Sequence, residues 1–286
     1  MWPSIQHYHR PRSLEHLFDL RAASPDARLL AGGTDLLVRM RAGSERPRTL
    51  ISLRSVPQLQ GVDADDAGHA RIGAAVTIAQ LQHHPAIIAH FPVLAQAASC
   101  LGSPQIRNVA TIGGNLCNAS PCADTAPPLL VLQARVELLG PGGGRRELPL
   151  EQLFQAAGET SMSPSEVLGA VLLDPPPAGS RALFVKKRRV RMDLALASLA
   201  VLLDPGSREV RVAAGSVAPT PIRLSAVERL LQGQELDPRL LAEARELASA
   251  SVTPISDIRS TESYRRHIIG LYLERTLEQL WQEATA

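Results

Sequence analysis

The stretch LLAGGTDLLVRM, residues 29–40, places two glycines, a threonine and an aspartate between an apolar pair and a short helical pattern. A strand, a Gly32-Gly33 turn and a helix in this order aim backbone N–H groups and a helix N-terminus at one point, which suits a phosphate or pyrophosphate. Alternatively the turn is structural, with Thr34 as the helix N-cap and Asp35 complementing the helix dipole. The stretch predicts either a phosphate-binding turn or a plain strand-to-helix connection.

A second stretch rich in small residues, SPQIRNVATIGGNLCNASPCADTAPPLLVL, covers residues 103–132, and Asp124 is the only charged residue between Arg107 and Arg135. Gly113 and Gly114 repeat the glycine pair, and Asp124 could accept hydrogen bonds from ribose hydroxyls. Alternatively this stretch is a packed irregular loop, with Asp124 capping the helix that follows. Two glycine-rich loops suit the length of a dinucleotide, so the pair favours the binding interpretation. The common nucleotide motifs GxxxxGK[ST] and GxGxxG between strand and helix are absent from the sequence.

Composition limits the class of protein. The 286 residues, 45% of them hydrophobic, can bury a full core in two or three compact units. The net charge of +2 indicates no affinity of the whole molecule for nucleic acid or an anionic membrane. The longest apolar stretch, residues 194–203, is far shorter than the roughly 20 residues of a membrane helix. Three cysteines without a CxxC pair, and an N-terminus without a secretory signal pattern, predict a cytoplasmic protein with no membrane span.

The order of strand and helix patterns predicts an α+β fold. Short strands and helices alternate before residue 60, and residues 134–150 read as a β-hairpin with a glycine-rich turn. Three consecutive prolines in LLDPPPAGS, residues 172–180, mark a domain boundary. Beyond it three strand-like runs precede three helical patterns, and the last helix has one apolar face made of Ile269, Leu273, Leu277 and Leu280.

The two glycine loops together resemble a known family. AGGTDLL (31–37) and PQIRNVATIGGNLCNASPCADTAPPLL (104–130) are similar to the FAD-binding medium subunit of molybdenum hydroxylases, the family of xanthine dehydrogenase and molybdenum-type carbon monoxide dehydrogenase. Weaker counterparts extend the resemblance over nearly the whole chain: SPSEVLGAVLLDPPP, FVKKRRVRMDLALAS, GSVAPTPIRLSAVERLL and SDIRSTESYRR. The pair of glycine loops is the specific part.

The resemblance implies a fold and its division. An FAD-binding region of the vanillyl-alcohol-oxidase (PCMH) type would consist of two α/β subdomains, at residues 1–58 and 59–175. A C-terminal α+β domain, residues 178–286, would contain a three-stranded antiparallel sheet and a helical bundle.

The resemblance also implies which residues bind FAD. The first loop would hold the pyrophosphate through the backbone of Leu29, Leu30, Ala31, Gly32, Gly33, Thr34, Asp35 and Leu36. The second side would be lined by Leu101, Ala110, Thr111, Gly114 and Asn115. Asp124 would bind the ribose or adjoining hydroxyls, and Leu168 and Lys186 would lie near the adenine or isoalloxazine ends. No catalytic side chain and no metal ligand is expected on this chain.

The implied activity is electron transfer within an oxidoreductase. A large partner subunit with a molybdenum–pterin centre would hydroxylate the substrate. Electrons would pass through two [2Fe-2S] clusters of a small partner subunit to this FAD, and then to NAD, a quinone, a cytochrome or oxygen. The alternatives are a flavin-free assembly subunit, against which the intact glycines and Asp124 argue, and an independent FAD-dependent reductase of the same fold. The match of the C-terminal half to electron-transfer subunits argues against the latter.

Three other features have simpler interpretations. The basic run KKRRVR, residues 186–191, lacks the aromatic neighbours of a nucleic-acid surface, so we expect Lys186 to meet FAD and the others to face solvent or a partner subunit. Cys117 and Cys122 are spaced as C-x4-C, but only Cys100 remains to complete a four-cysteine cluster site. The paired histidines His7, His9, His83 and His84 are expected to be solvated.

Overall fold

A computed structural model describes residues 5–285, and its N-terminal part is a small parallel sheet with two helices. Strands β1 (His7–His9), β2 (Arg28–Leu30) and β3 (Thr49–Ser52) lie in the order β1-β3-β2. Helices α1 (Leu14–Ala23) and α2 (Leu36–Ala42) provide the crossovers that parallel strands require. The predicted order of strand, glycine turn and helix at residues 29–40 is thus confirmed.

The middle part is an antiparallel sheet in the order β4-β5-β10-β6-β7. Its strands are β4 (Val62–Ala64), β5 (Ala70–Gly73), β6 (Arg135–Leu139), β7 (Arg145–Pro149) and β10 (Val167–Leu173), and β6 and β7 are the predicted hairpin. A separate pair, β8 (Phe154–Ala156) and β9 (Glu159–Thr160), precedes β10. Six short helices lie between β5 and β6: α3 (Ile78–His83), α4 (Pro85–His90), α5 (Pro92–Cys100), α6 (Pro104–Arg107), α7 (Ile112–Cys117) and α8 (Ala126–Val131).

The C-terminal part begins after the three prolines. Its predicted three-stranded antiparallel sheet is present as β11 (Arg181–Lys187), β12 (Ala197–Asp204) and β13 (Glu209–Gly215), and a two-residue strand β14 (Ile222–Arg223) is added beside β13. Helices α9 (Ser225–Leu231), α10 (Pro238–Ala250) and α11 (Glu262–Thr285) follow. The predicted apolar face of α11 is buried, with Ile269, Leu273, Leu277 and Leu280 each at most 1% exposed.

The C-terminal sheet is covered on both faces. Along β12, Ala200 and Leu202 pack into the core of the middle part, whereas Leu199 and Val201 pack against the C-terminal helices. Strand residues alternate between the two faces of a sheet, so each face meets a different neighbour. This packing places β11 and its following loop beside the second glycine loop. We propose the predicted boundaries, 1–58, 59–175 and 178–286, as the units of the fold, supported by one main sheet in each.

Within residues 5–285, no helix combines the length and apolar character needed to cross a membrane.

Candidate cofactor-binding site

A cavity of about 700 Å³ lies where the two glycine loops meet the start of the C-terminal part. This volume falls within the usual range of small-molecule and cofactor sites. All sixteen residues that the sequence analysis singled out line it: Leu29, Leu30, Ala31, Gly32, Gly33, Thr34, Asp35, Leu36, Leu101, Ala110, Thr111, Gly114, Asn115, Asp124, Leu168 and Lys186. The fold therefore brings the predicted site together from all three parts of the chain.

The first glycine turn is pressed against the second loop. A Cβ atom on Gly32 would lie 2.1 Å from the carbonyl oxygen of Val109, so only glycine fits there. Gly33 adopts a φ of +75°, a left-handed conformation that favours glycine. Helix α2 then begins at Leu36, with Asp35 rather than Thr34 at the N-cap and without a side-chain cap bond. Because its N-terminal N–H groups lack a side-chain cap, the turn can present them to an anionic ligand.

The second glycine turn is built differently. Thr111 is the N-cap of α7, and its Oγ1 accepts a hydrogen bond from the Gly114 N–H at 3.0 Å. Gly113 packs on the backbone of Ala74, whose carbonyl oxygen would lie 2.6 Å from an added Cβ. Gly113 and Gly114 both line the cavity beside Thr111, and Gly113 also allows the close approach of Ala74, the residue after β5.

One side-chain bridge joins the two loops at the cavity. The amide nitrogen of Asn118 donates to Asp35 Oδ1 at 3.1 Å, and its amide oxygen accepts a bond from Arg39. Asn118 and Arg39 also line the cavity. The sequence analysis did not single out these two residues, although Asn118 belongs to the same small-residue stretch as Asn115.

A further wall comes from the segment between β9 and β10, where Met162, Ser163 and Pro164 face the cavity. Glu166 fixes this segment, because its carboxylate accepts bonds from the Ser163 N–H at 2.7 Å and from Arg146 at 2.6 and 2.9 Å. The Arg146 hydrogen bond lowers the pKa of Glu166 to about 2. The sequence analysis did not place this wall in the site, since an ordinary loop sequence carries no cofactor-binding pattern.

The buried polar contact of the cavity is an ion pair between Asp124 and Lys186. Lys186 Nζ donates to Asp124 Oδ2 at 2.6 Å and to the Cys100 carbonyl oxygen at 3.2 Å, and the two side chains are only 4% and 2% exposed. Asp124 Oδ1 is buried and has no hydrogen-bond partner. Asp124 therefore does not cap α8, whose N-cap is Thr125. Its free oxygen remains able to accept a bond from a ligand hydroxyl or N–H.

Burial raises the pKa of Asp124 to about 6, while Lys186 and Arg188 oppose the shift. A carboxyl whose pKa rises from 3.8 to about 6 on folding holds its proton more tightly in the folded chain. Its contribution to stability is complete below the unfolded pKa and is lost as the pH rises through the folded pKa. Asp124→Asn cannot titrate, and it carries a cost that does not depend on this carboxyl's titration, because buried Lys186 loses its partner. As the pH rises from 4 to 7, we expect the stability of this variant relative to wild type to increase by on the order of 1–3 kcal/mol.

Urea unfolding of the FAD-free chain at several pH values measures this difference. Asp65→Asn is the control, because His69 lowers the pKa of the exposed Asp65, so its contribution has the opposite sign and is lost as the pH falls. A free-energy difference between Asp124→Asn and wild type that stays constant from pH 4 to 7 would contradict the raised pKa.

The loop after β11 borders the cavity with apolar side chains. The Leu196 N–H donates to the Lys187 carbonyl oxygen at 2.8 Å and closes the loop at its base. Met192 and Leu194 line the cavity and are 62% and 58% exposed. Of the predicted basic run, residues 186–191, Lys186 lines the cavity and the other five residues do not.

The remaining candidates do not form a second site. Burial raises the pKa of the Cys117 thiol to about 12, and its sulfur lies 3.8 Å from that of Met162. His7 and His9 stack at 6.2 Å between ring centroids on β1. Among residues 5–285, no group of three or more His, Cys, Asp or Glu side chains is arranged to hold a metal ion.

Comparison with known proteins identifies the family. Residues 3–176 match the model of the FAD binding domain in molybdopterin dehydrogenase, and residues 182–280 match the CO dehydrogenase flavoprotein C-terminal domain. The chain belongs to the family of FAD-binding subunits of molybdenum hydroxylases. The predicted family and its FAD cofactor are thereby confirmed.

Relatives of this FAD-binding subunit match it along nearly its whole length. It is 35% identical to the xanthine dehydrogenase FAD-binding subunit of Escherichia coli O157:H7, over 95% of this chain and 94% of the relative. It is 33% identical to the carbon monoxide dehydrogenase medium chain of Afipia carboxidovorans, over 98% of each chain. The fold matches a chain of carbon monoxide dehydrogenase from Hydrogenophaga pseudoflava with a TM-score of 0.93, 30% identity and 99% coverage of both chains. The chain is an oxidoreductase subunit.

The residues of the cavity suit FAD. The first glycine turn lines the cavity with backbone that can offer N–H donors to a pyrophosphate, and the free Oδ1 of Asp124 offers an acceptor for a hydroxyl or a ring N–H. Apolar side chains such as those of Leu101, Leu168 and Leu194 line the cavity and can pack against an aromatic ring system.

Proposed function

We propose that this chain carries electrons from iron–sulfur clusters of a small partner subunit, through its FAD, to an external acceptor. In this proposal a large partner subunit oxidises the organic substrate at a molybdenum–pterin centre, and the acceptor is NAD, a quinone, a cytochrome or oxygen. The observation that carries the proposal is the full-length similarity to proteins named medium chains and FAD-binding subunits of dehydrogenases. A cytoplasmic location is supported by three free cysteines, Cys100, Cys117 and Cys122.

The residues of the cavity would divide the work of holding FAD. The backbone of residues 29–36 would hold the pyrophosphate, and Ala110, Thr111, Gly114 and Asn115 would line the opposite side. Asp124 would accept a hydrogen bond through its free Oδ1, while Lys186 keeps the carboxylate ionised and oriented. Leu101 and Leu168 would contact the aromatic ends.

When bound, the flavin supplies one- and two-electron transfer, so the chain needs no acid, base or nucleophile of its own. The protein would bind the cofactor and fix its position for electron transfer. The apolar rim at Met192 and Leu194 lies where a partner or an acceptor could approach the cavity.

The proposal is tested on the complex purified through a tag on the full chain. We expect a molybdenum–pterin subunit and an iron–sulfur subunit to copurify. Anaerobic addition of the dithionite-reduced small subunit, freed of excess reductant, should bleach the flavin band near ~450 nm in the FAD-loaded chain.

Two results would contradict this function. A chain that binds FAD, purifies alone and is not reduced by the iron–sulfur subunit would indicate an independent flavoprotein. A complex that contains this chain without flavin, and that still reduces its acceptor, would indicate an assembly subunit. The Gly32→Ala variant, whose added Cβ would collide with the Val109 carbonyl oxygen, serves as a flavin-deficient control.

A further inference from the structure

The motif SDIRSTESYRR, residues 256–266, lies outside the cavity but contains the most buried arginine of the C-terminal part. Arg265, in the first turns of α11, is only 2% exposed. Its Nη2 donates to Asp257 Oδ1 at 2.9 Å, and its Nη1 donates to the carbonyl oxygens of Leu196 and Ser216 at 2.7 and 3.0 Å. One guanidinium thus joins three separate segments of the chain.

Asp257 is the centre of this arrangement. Besides Arg265, its carboxylate accepts bonds from the Arg259 N–H at 2.8 Å and from the Arg259 guanidinium at 2.9 and 2.6 Å. Hydrogen bonding from Arg259 holds the pKa of Asp257 well below its usual range. A charged Asp257 therefore holds both arginines in fixed positions.

Each arginine also holds a segment that contacts the second glycine loop. Arg265 fixes the carbonyl of Ser216, and the Ser216 N–H donates to the Pro121 carbonyl oxygen at 2.7 Å. Arg259 Nη1 lies 3.7 Å from the sulfur of Cys122, and that thiol donates to the Ala195 carbonyl oxygen at 3.7 Å. The loop is thus tied to the C-terminal part at two consecutive residues, Pro121 and Cys122.

The two attached residues, Pro121 and Cys122, lie just before Asp124 in the chain. Cys122 lines the cavity, and Asp124 follows two residues later with its free oxygen. Leu196, whose carbonyl Arg265 holds, closes the loop that carries Met192 and Leu194. Bonds that converge on Asp257 thus lead both to the residues just before Asp124 and to the base of the loop at the cavity rim.

We propose that Asp257, through Arg259 and Arg265, is a positioning residue for FAD: it fixes residues 120–124 and the loop at 188–196, and so sets where Asp124 meets the cofactor. Asp257 itself does not line the cavity. Its effect on the flavin is transmitted through the two arginines.

The test uses Asp257→Asn in the full chain, with Glu274→Gln as the matched control. Glu274 also pairs with an arginine, Arg245 at 3.0 Å, lies on α11, and is 22% exposed like Asp257, but it is not at the cavity. In Asp257→Asn we expect the FAD dissociation constant to rise about tenfold, which corresponds to about 1.4 kcal/mol. Flavin fluorescence titration measures this constant, and Glu274→Gln should stay within about twofold of wild type.

A second readout needs no flavin. Hydrogen exchange of the FAD-free chain should show amides of residues 118–126 and 188–196 exchanging about tenfold faster in Asp257→Asn than in Glu274→Gln. Unchanged exchange in these two segments, or unchanged FAD affinity with faster exchange, would overturn the proposal.

Arg259→Gln provides a milder variant in case Asp257→Asn does not fold. It removes the contact with Cys122 while leaving Arg265 bonded to Asp257, so exchange should accelerate at residues 118–126 and not at 188–196. Equal acceleration of both segments in Arg259→Gln would show a general loss of stability instead of positioning.

Discussion

Gly32→Ala is expected to abolish measurable FAD binding at micromolar cofactor while leaving the chain folded. An added Cβ would lie 2.1 Å from the Val109 carbonyl oxygen and 2.8 Å from the Ala110 Cα. Both are backbone atoms that cannot rotate away, so the two glycine loops must move apart. We expect affinity for FAD to fall at least ~100-fold, and overpacking to reduce the free energy of unfolding by about 1–3 kcal/mol.

Gly140→Ala is the matched control for this substitution. Gly140 lies in the β6–β7 hairpin, its φ is −122°, and an added Cβ would meet nothing closer than 3.8 Å. Fluorescence titration with FAD and urea unfolding of both variants separate cofactor binding from stability. If Gly32→Ala bound FAD as wild type does, the close contact of the two loops would have no role in the site.

Lys186→Met is expected to have the largest effect on stability. Methionine nearly preserves the length of the side chain, but it leaves the carboxyl group of Asp124 buried without its ammonium partner. Breaking a buried ion pair by removing one member costs about 3–5 kcal/mol. The pKa of Asp124, already raised by burial, should rise further, so the loss should be greatest at alkaline pH.

Two variants test whether this loss comes from the uncompensated carboxylate. Lys187→Met removes the neighbouring charge on β11, which by strand alternation faces the other side, and should change stability little. The double variant Asp124→Asn with Lys186→Met should be more stable than Lys186→Met alone, because no charge is left buried. Urea unfolding at pH 8 gives the free energy of unfolding of wild type, Lys186→Met, Lys187→Met and the double variant. A double variant less stable than Lys186→Met would refute the explanation.

Local sequence patterns predicted most of the elements of the fold. Glycine pairs and helix caps determine the conformation of only a few neighbouring residues, so the turns and the hairpin could be predicted directly from the sequence. The two-residue strand β14 is too short for a periodic pattern and was not predicted. The site residues came from the resemblance, and the cavity contains all of them.

The contacts that hold the site together could not be predicted in the same way. Asp124 and Lys186 are 62 residues apart, and their pairing depends on how the C-terminal sheet packs against α5 and α8. The same is true of Arg259 and Cys122, which are 137 residues apart. A one-dimensional pattern shows the charge and size of such residues but not their partners. The long-range bonds therefore decide the interpretation of Asp124, which forms an ion pair with Lys186 and does not cap a helix.

The two faces of the C-terminal sheet pack against different cores, and this arrangement predicts the outcome of proteolysis between β10 and β11. Asp174, Pro175, Ala178 and Gly179 in the connection between β10 and β11 are exposed, so a protease can reach the backbone there. After a single cut, the N-terminal fragment would lack the contacts that Ala200 and Leu202 of β12 make with its core. The C-terminal fragment would expose the same apolar face of β12 to water. The two pieces should therefore stay associated after cleavage and be insoluble when expressed apart. When the two fragments are coexpressed as separate polypeptides, they should assemble into a complex that binds FAD.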